Sequence, residues 1–342
     1  MLDDLKYIHQ RDGQDALGIA EKQYSQLLHE FDVPAIDGQF GNIVYAGMGG
    51  SALAALISQS WPGYKVPFEV CRQYSVPAYV SDKTLFIAAS YSGNTEETVS
   101  ALQEAEGKGA KIVVIAGGGK LQEVAQANNH SFVLMPKAEQ PRYAVFYNLK
   151  ALLDILIAAR LADKQEIDNQ LSAASEFLKG EVQPWLPTVP QQQNPAKQLA
   201  NELTGKSGVV YGGPLMVPAA YKWKISFNEN AKNICWWNQY PEFNHNEFIG
   251  WSSHPIQKPY AVVDLRSSFE HPRVQKRFEL SDKLLSGRRP AAHVVQAQGK
   301  NLLEHLLWTI NFGDFVTIYL ALLNGVNPSP VELVEKFKKE LS

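Results

Sequence analysis

Ser90, Ser92 and Thr95 stand within six positions of one another in SYSGNTEETV, residues 90–99, directly after the apolar run Leu85–Ala89. A single Ser or Thr at such a place is an ordinary helix N-cap. Three hydroxyls with free backbone amides make a neutral cradle for phosphate, and Gly93 and Asn94 permit the tight turn it needs. The glycine loop GMGGS, 47–51, brings Gly50 and Ser51 to a similar place between an apolar run and a helical pattern. It lacks the spacing and the acidic residue of a dinucleotide fingerprint, so NAD is not expected. No GxxxxGK[ST] motif points to a nucleoside triphosphate.

Two proton-transfer groups lie further along. Glu229 follows Trp223, Ile225 and Phe227 near a helix end, where partial desolvation would move a carboxylate toward general-base duty. His245, sixteen residues on, sits between Asn244 and Asn246 in a Pro- and Asn-rich segment. Together they supply an acid/base pair of different intrinsic pKa. The alternatives are a solvated helix-end charge for Glu229 and a hydrogen-bonded loop residue for His245. His-Asn-Glu is not a ligand spacing with a known mechanism, so no metal is expected. Cys235 reads as a core residue rather than a nucleophile.

The elements that must hold these groups alternate along the chain. Strand patterns at 43–46, 67–74, 83–90, 111–119 and 131–136 are separated by helical patterns at 51–62, 95–109 and 121–129. Long helices follow at 143–180, and EVQPWLPTVPQQQNP, 181–195, reads as a linker. The alternation resumes with strands at 207–214, 234–240, 259–266 and 293–299, and helices at 215–232, 271–286, 301–324 and 330–341. This is an α/β chain with two tandem domains, each a parallel sheet flanked by helices in flavodoxin-like fashion. The expected boundaries are 1–155 with an N-terminal helical extension, a connection at 156–195, and 196–342. In such sheets ligands bind where strands end and helices begin, which is where both loops fall.

The 342 residues carry a net charge of −3, with 45% hydrophobic and 20% charged residues. There is no basic run to attract nucleic acid. Two cysteines, Cys71 and Cys235, fit a reducing compartment. MLDDLKYIHQRDGQ shows no secretory signal, and ALLDILIAARLA, 151–162, is too short and too charged to span a bilayer. A cytoplasmic protein without membrane or nucleic-acid partners is expected.

GMGGSA, SYSGNTEET, QPRYA at 140–144, WKISFNENAK, PEFNHNE and NPSPVELVEKFKKEL, in this order, resemble the bifunctional phosphoglucose/phosphomannose isomerases of the sugar isomerase (SIS) domain superfamily. The resemblance implies two SIS domains, a homodimer, and interconversion of glucose 6-phosphate and mannose 6-phosphate with fructose 6-phosphate, without cofactor or metal. It implies that Gly50, Ser51, Ser90, Ser92, Thr95 and Arg142 bind the sugar phosphate. Glu229 would move the proton between C1 and C2, and His245 would assist ring opening from the partner subunit. Lys338 in the last helix matches another active-site position. Phe337 before it and Ser329, where relatives carry threonine, depart from the pattern, the latter with a bearing on epimer preference. Rival readings are an aminosugar-phosphate isomerase, a phosphoglucose isomerase without the mannose substrate, and a non-catalytic sugar-phosphate sensor. The role of residues 1–40 stays open.

Overall fold

The structure is a computed structural model that describes residues 1–253 and 259–341. The chain divides into two compact units, Gln23–Glu176 and Met1–Lys22 with Phe177–Ser342.

Walking the chain, two short helices, α1 (Leu5–Arg11) and α2 (Ala16–Lys22), precede the first sheet. That sheet has strands β1 (Asn42–Ala46), β2 (Phe68–Cys71), β3 (Thr84–Ser90), β4 (Lys111–Ala116) and β5 (Ser131–Leu134), all parallel, in the order β2-β1-β3-β4-β5. Helices α3 (Gly49–Ser60), α4 (Glu96–Gly107) and α5 (Gly119–Ala127) make the crossovers, and α6 (Val145–Ala158) and α7 (Lys164–Glu181) follow. Every residue of β3 is buried, as a central strand covered on both faces requires. Alternate residues serve opposite cores. Ile43, Tyr45, Leu85 and Ile87 face Leu152 and Ile155, while Val44, Phe86 and Ala88 face Leu102 and Leu121.

The second sheet has strands β6 (Ser207–Gly212), β7 (Cys235–Gln239), β8 (Tyr260–Arg266) and β9 (His293–Gln296), parallel in the order β7-β6-β8-β9. Its helices are α8 (Pro195–Leu203), α9 (Val217–Glu229), the short α10 (Glu247–Gly250), α11 (Pro272–Leu284), α12 (Leu302–Leu323) and α13 (Glu332–Leu341). By length and composition α12 is apolar enough to cross a membrane, yet 94% of its most apolar window is buried inside the unit. It packs on α8 and α9.

Two sequence expectations are corrected here. Residues 1–22, placed with the first domain, pack within the second unit. The Asn311 amide donates to the Ala20 carbonyl at 2.9 Å, and the Tyr7 hydroxyl to that of Leu322 at 2.6 Å. The segment 181–195, read as a linker, is anchored in the second unit. Trp185 is buried among Trp308, Phe312 and Phe315, with ring centroids 5.1–5.6 Å apart. The buried Lys197 ammonium donates to the Pro187 and Val189 carbonyls, both at 2.8 Å. Helix α8, absent from the sequence reading, starts there with Asn194 as cap and Pro195 at the first position.

Candidate active site

The strand order places the topological switch point of the first sheet between β1 and β3, and both polar loops leave the carboxyl ends of those two strands. Ser90 ends β3 buried, with its Oγ 2.8 Å from Thr95 Oγ1 and 3.5 Å from Ser92 Oγ. Thr95 stands at the N-cap of α4, but its side chain makes no capping bond. Its hydroxyl turns to Ser90 instead, so simple N-capping does not account for this loop. Met48, the N-cap of α3, has no capping side chain either. Two helix starts at one switch point thus reach solvent or ligand without side-chain caps.

The rest of the cluster is tied to this point. Ser51 Oγ accepts from the Tyr91 amide at 3.3 Å and so joins the two loops. A Cβ at Gly50 would lie 3.1 Å from the Arg142 nitrogen, which shows how closely the Arg142 segment packs there. Arg142 is buried, beside the Tyr143 ring. Gly93 has φ +72°, and a Cβ on it would overlap the Gly118 carbonyl oxygen. Only glycine fits that turn. All six residues expected to bind the sugar phosphate, Gly50, Ser51, Ser90, Ser92, Thr95 and Arg142, therefore belong to one unit and gather at the carboxyl ends of β1 and β3.

The second unit carries the expected acid/base residues. Glu229 is the last residue of α9 and is half-buried. It lines a cavity of about 790 Å³ with Lys232, Asn327 and Pro330. The helix is keyed to α12 by polar contacts at every fourth residue. Lys222 pairs with Asp314, Ser226 Oγ donates to Asp314 at 2.8 Å, and the Asn230 amide donates to Thr317 Oγ1 at 2.9 Å. All five are buried. Removing one member of such an ion pair costs about 3–5 kcal/mol, so the ladder enforces one register.

His245 is exposed, while its neighbours are spent on holding the loop. The Asn244 amide donates to Ser281 Oγ at 3.0 Å and its oxygen accepts from Arg277 at 3.1 Å. Glu247 accepts from the Tyr211 hydroxyl and, at 2.7 Å, from the Asn238 amide. Phe243 is buried against Tyr211 and Tyr240. The ring is thus offered outward from a rigid mount.

Glu229 and His245 do not come together. Helix α9 returns from the carboxyl end of β6 to the start of β7, and His245 follows the end of β7. The five residues of β7, about 16 Å at roughly 3.3 Å per residue, separate them. Lys338 lies on α13, all of which is exposed, and Ser329 is buried before it.

One carboxyl group that sequence reading missed occupies the second sheet's own switch point. Glu270 Oε1, on the loop after β8, accepts from the Leu215 and Met216 amides at 2.8 and 3.3 Å, just ahead of α9. It is 3% exposed, and burial pushes its pKa up to about 7 against those two hydrogen bonds. Cys235 is buried and its thiol pushed up by burial, as a core residue should be. Among the described residues, no three His, Cys, Asp or Glu side chains are grouped as metal ligands.

Two parallel α/β sheets, one with a hydroxyl-lined switch point, define a two-domain SIS protein. Residues 39–159 match the family model "SIS domain", and 192–341 match "Bacterial phospho-glucose isomerase C-terminal SIS domain". The chain is 35% identical to a bifunctional phosphoglucose/phosphomannose isomerase of Caldicellulosiruptor bescii, over 88% of this chain and 89% of that one. It is 31% identical to a D-glucosamine-6-phosphate 4-epimerase of Sulfolobus acidocaldarius, over 68% of this chain and 73% of the relative. A glucose-6-phosphate isomerase like protein from Thermus thermophilus shares the fold, with TM-score 0.65 and 22% identity over 99% and 98% of the two chains. The chain belongs to the bifunctional phosphoglucose/phosphomannose isomerase family.

Proposed function

We propose that this enzyme interconverts glucose 6-phosphate and mannose 6-phosphate with fructose 6-phosphate by proton transfer through a cis-enediol. The observation that carries the reading is the gathering of six anion-suited residues at one switch point, in a chain of this family. The phosphate sits on the uncapped starts of α3 and α4, held by Ser51, Ser90, Ser92 and Thr95. Glu229 takes the proton from C2 of the open aldose and returns it at C1, and Arg142 stabilises the enediol oxygens as charge develops. His245 assists ring opening, and Lys338 joins the site from α13. Rotation about C2–C3 lets one base serve both epimers. Binding the distant phosphate holds C1 and C2 within reach of the base.

The opposite placement of Glu229 and His245 on one sheet supports a homodimer in which His245 serves the partner's site. Two unpaired cysteines and a phosphorylated metabolite as substrate fit a cytoplasmic enzyme. The test is conversion of fructose 6-phosphate by wild type and Glu229→Gln, with both aldoses quantified separately. Wild type should yield both, and the variant should lose about 10²–10⁴-fold in kcat. Glucose 6-phosphate alone as product would reduce the enzyme to a single isomerase. Absence of label exchange at C2 with mannose 6-phosphate would defeat the single-base mechanism. The epimerase relative favours one second reading, turnover of an amino-sugar phosphate. Glucosamine 6-phosphate as substrate separates the two.

A further inference from the structure

Lys232 follows α9 with φ +51°, in the left-handed region where a helix end ordinarily carries glycine. A non-glycine residue there costs about 1–2 kcal/mol of backbone energy. Its side chain has a use that glycine lacks. The ammonium donates to the Glu229 carbonyl at 2.9 Å and reaches that of Asn230 at 3.4 Å. It also donates to the Asn327 and Pro328 carbonyls at 2.6 and 3.1 Å. A cation on the last carbonyls of a helix satisfies acceptors that have no intrahelical partner and suits the helix dipole. Here it also joins that helix end to the segment leading into Ser329 and α13. The joined parts are the walls of the cavity that Glu229 lines.

We propose that Lys232 is a positioning residue: its ammonium clasps the helix end bearing Glu229 to the Asn327–Pro328 segment and so sets where the carboxylate stands. This rests on Glu229 being the base. A displacement of about 1 Å at a reacting group can cost 10²-fold in rate. On the proposed reading the phosphate is bound by Ser51, Ser90, Ser92 and Thr95 rather than by this helix end, so the loss falls on kcat rather than on KM.

The experiment compares Lys232→Met, Lys232→Gly and Lys232→Arg in the full-length enzyme, with kcat, KM for fructose 6-phosphate and Tm for each. Lys232→Met should lose about 10- to 100-fold in kcat with KM within about threefold of wild type. Lys232→Gly should lose kcat to the same extent while its Tm is at least that of Lys232→Met, because glycine relieves the backbone. Lys232→Arg, which keeps a cationic donor, should recover part of kcat. Wild-type kcat in the Met and Gly variants, or a kcat loss that follows Tm across the series, would overturn the clasp. Glu229→Gln is assayed in parallel. If it is inactive while the Lys232 variants are normal, only the clasp fails. If it remains active, the base assignment fails and the clasp loses its object.

Discussion

At the switch point of the first sheet, two helices begin without side-chain caps and three hydroxyls face one another. At that of the second, the amides of Leu215 and Met216 are already taken by Glu270 from the next crossover. The strand order is the same as far as both sheets run, so topology does not make the difference. Side chains do. A hydroxyl can donate to phosphate or accept from an amide, and it leaves room for the ligand's charge. A carboxyl oxygen already bonded to both amides takes the place a ligand's oxygen would need. The first unit therefore leaves its switch point open, as the proposed phosphate site requires. The second closes it, and the residues proposed for proton transfer lie elsewhere: Glu229 at the far end of a crossover helix and His245 on a loop beyond β7.

Substitutions can break this contrast. Gly93→Ala should do most. Overlap with the Gly118 carbonyl and the left-handed backbone together cost about 2–4 kcal/mol of stability, and the hydroxyls lose their arrangement. Thermal unfolding and KM measure both losses. Ser90→Ala and Thr95→Ala should each raise KM about tenfold, with the double variant short of the product because the two hydroxyls share a bond. Gly213→Ala, whose Cβ would overlap the Glu270 carboxyl, should lower Tm yet leave KM at the wild-type value. A KM shift there as large as that of Ser90→Ala would mean the second switch point binds substrate too.

The smallest effect is a slope. Glu270 holds its proton up to about pH 7 in the folded chain, against an ordinary 4.5. The folded state then binds more protons than the unfolded state across that window, so stability falls as pH rises through it. The fall is at most about 3 kcal/mol, at about 1.4 kcal/mol per pH unit. Glu270→Gln should flatten the change in Tm between pH 4.5 and 7 and be the more stable protein at pH 8. An unchanged slope would show that Glu270 is ionised throughout.

The hydroxyl and glycine loops were legible because their signals are local. The hydroxyls of 90–95 and the glycines of 47–50 sit beside the strands that place them, and flanking apolar runs marked strand and helix alike. The partnership of Glu270 with Leu215 spans 55 residues and follows from the β6–β8 pairing, which no local pattern reports. The Lys232 clasp on Asn327 spans 95 residues. Helix α8 was hidden by its surroundings of Pro and Gln, although Asn194-Pro195 is itself a helix-start signal. The buried place of 181–195 depends on Trp185 finding an aromatic cluster on α12, again a long-range event.

The proposal most open to direct test is that Glu229 of one chain is served by His245 of another copy of the chain. Mixing Glu229→Gln with His245→Ala after reversible dissociation tests it directly. Each should be nearly inactive alone. Random pairing makes half the dimers mixed, and one of the two sites in each is intact, so activity should return to about a quarter of wild type. If the mixture stays as inactive as its parents although mixed dimers form, Glu229 and His245 act within one chain and the account is wrong.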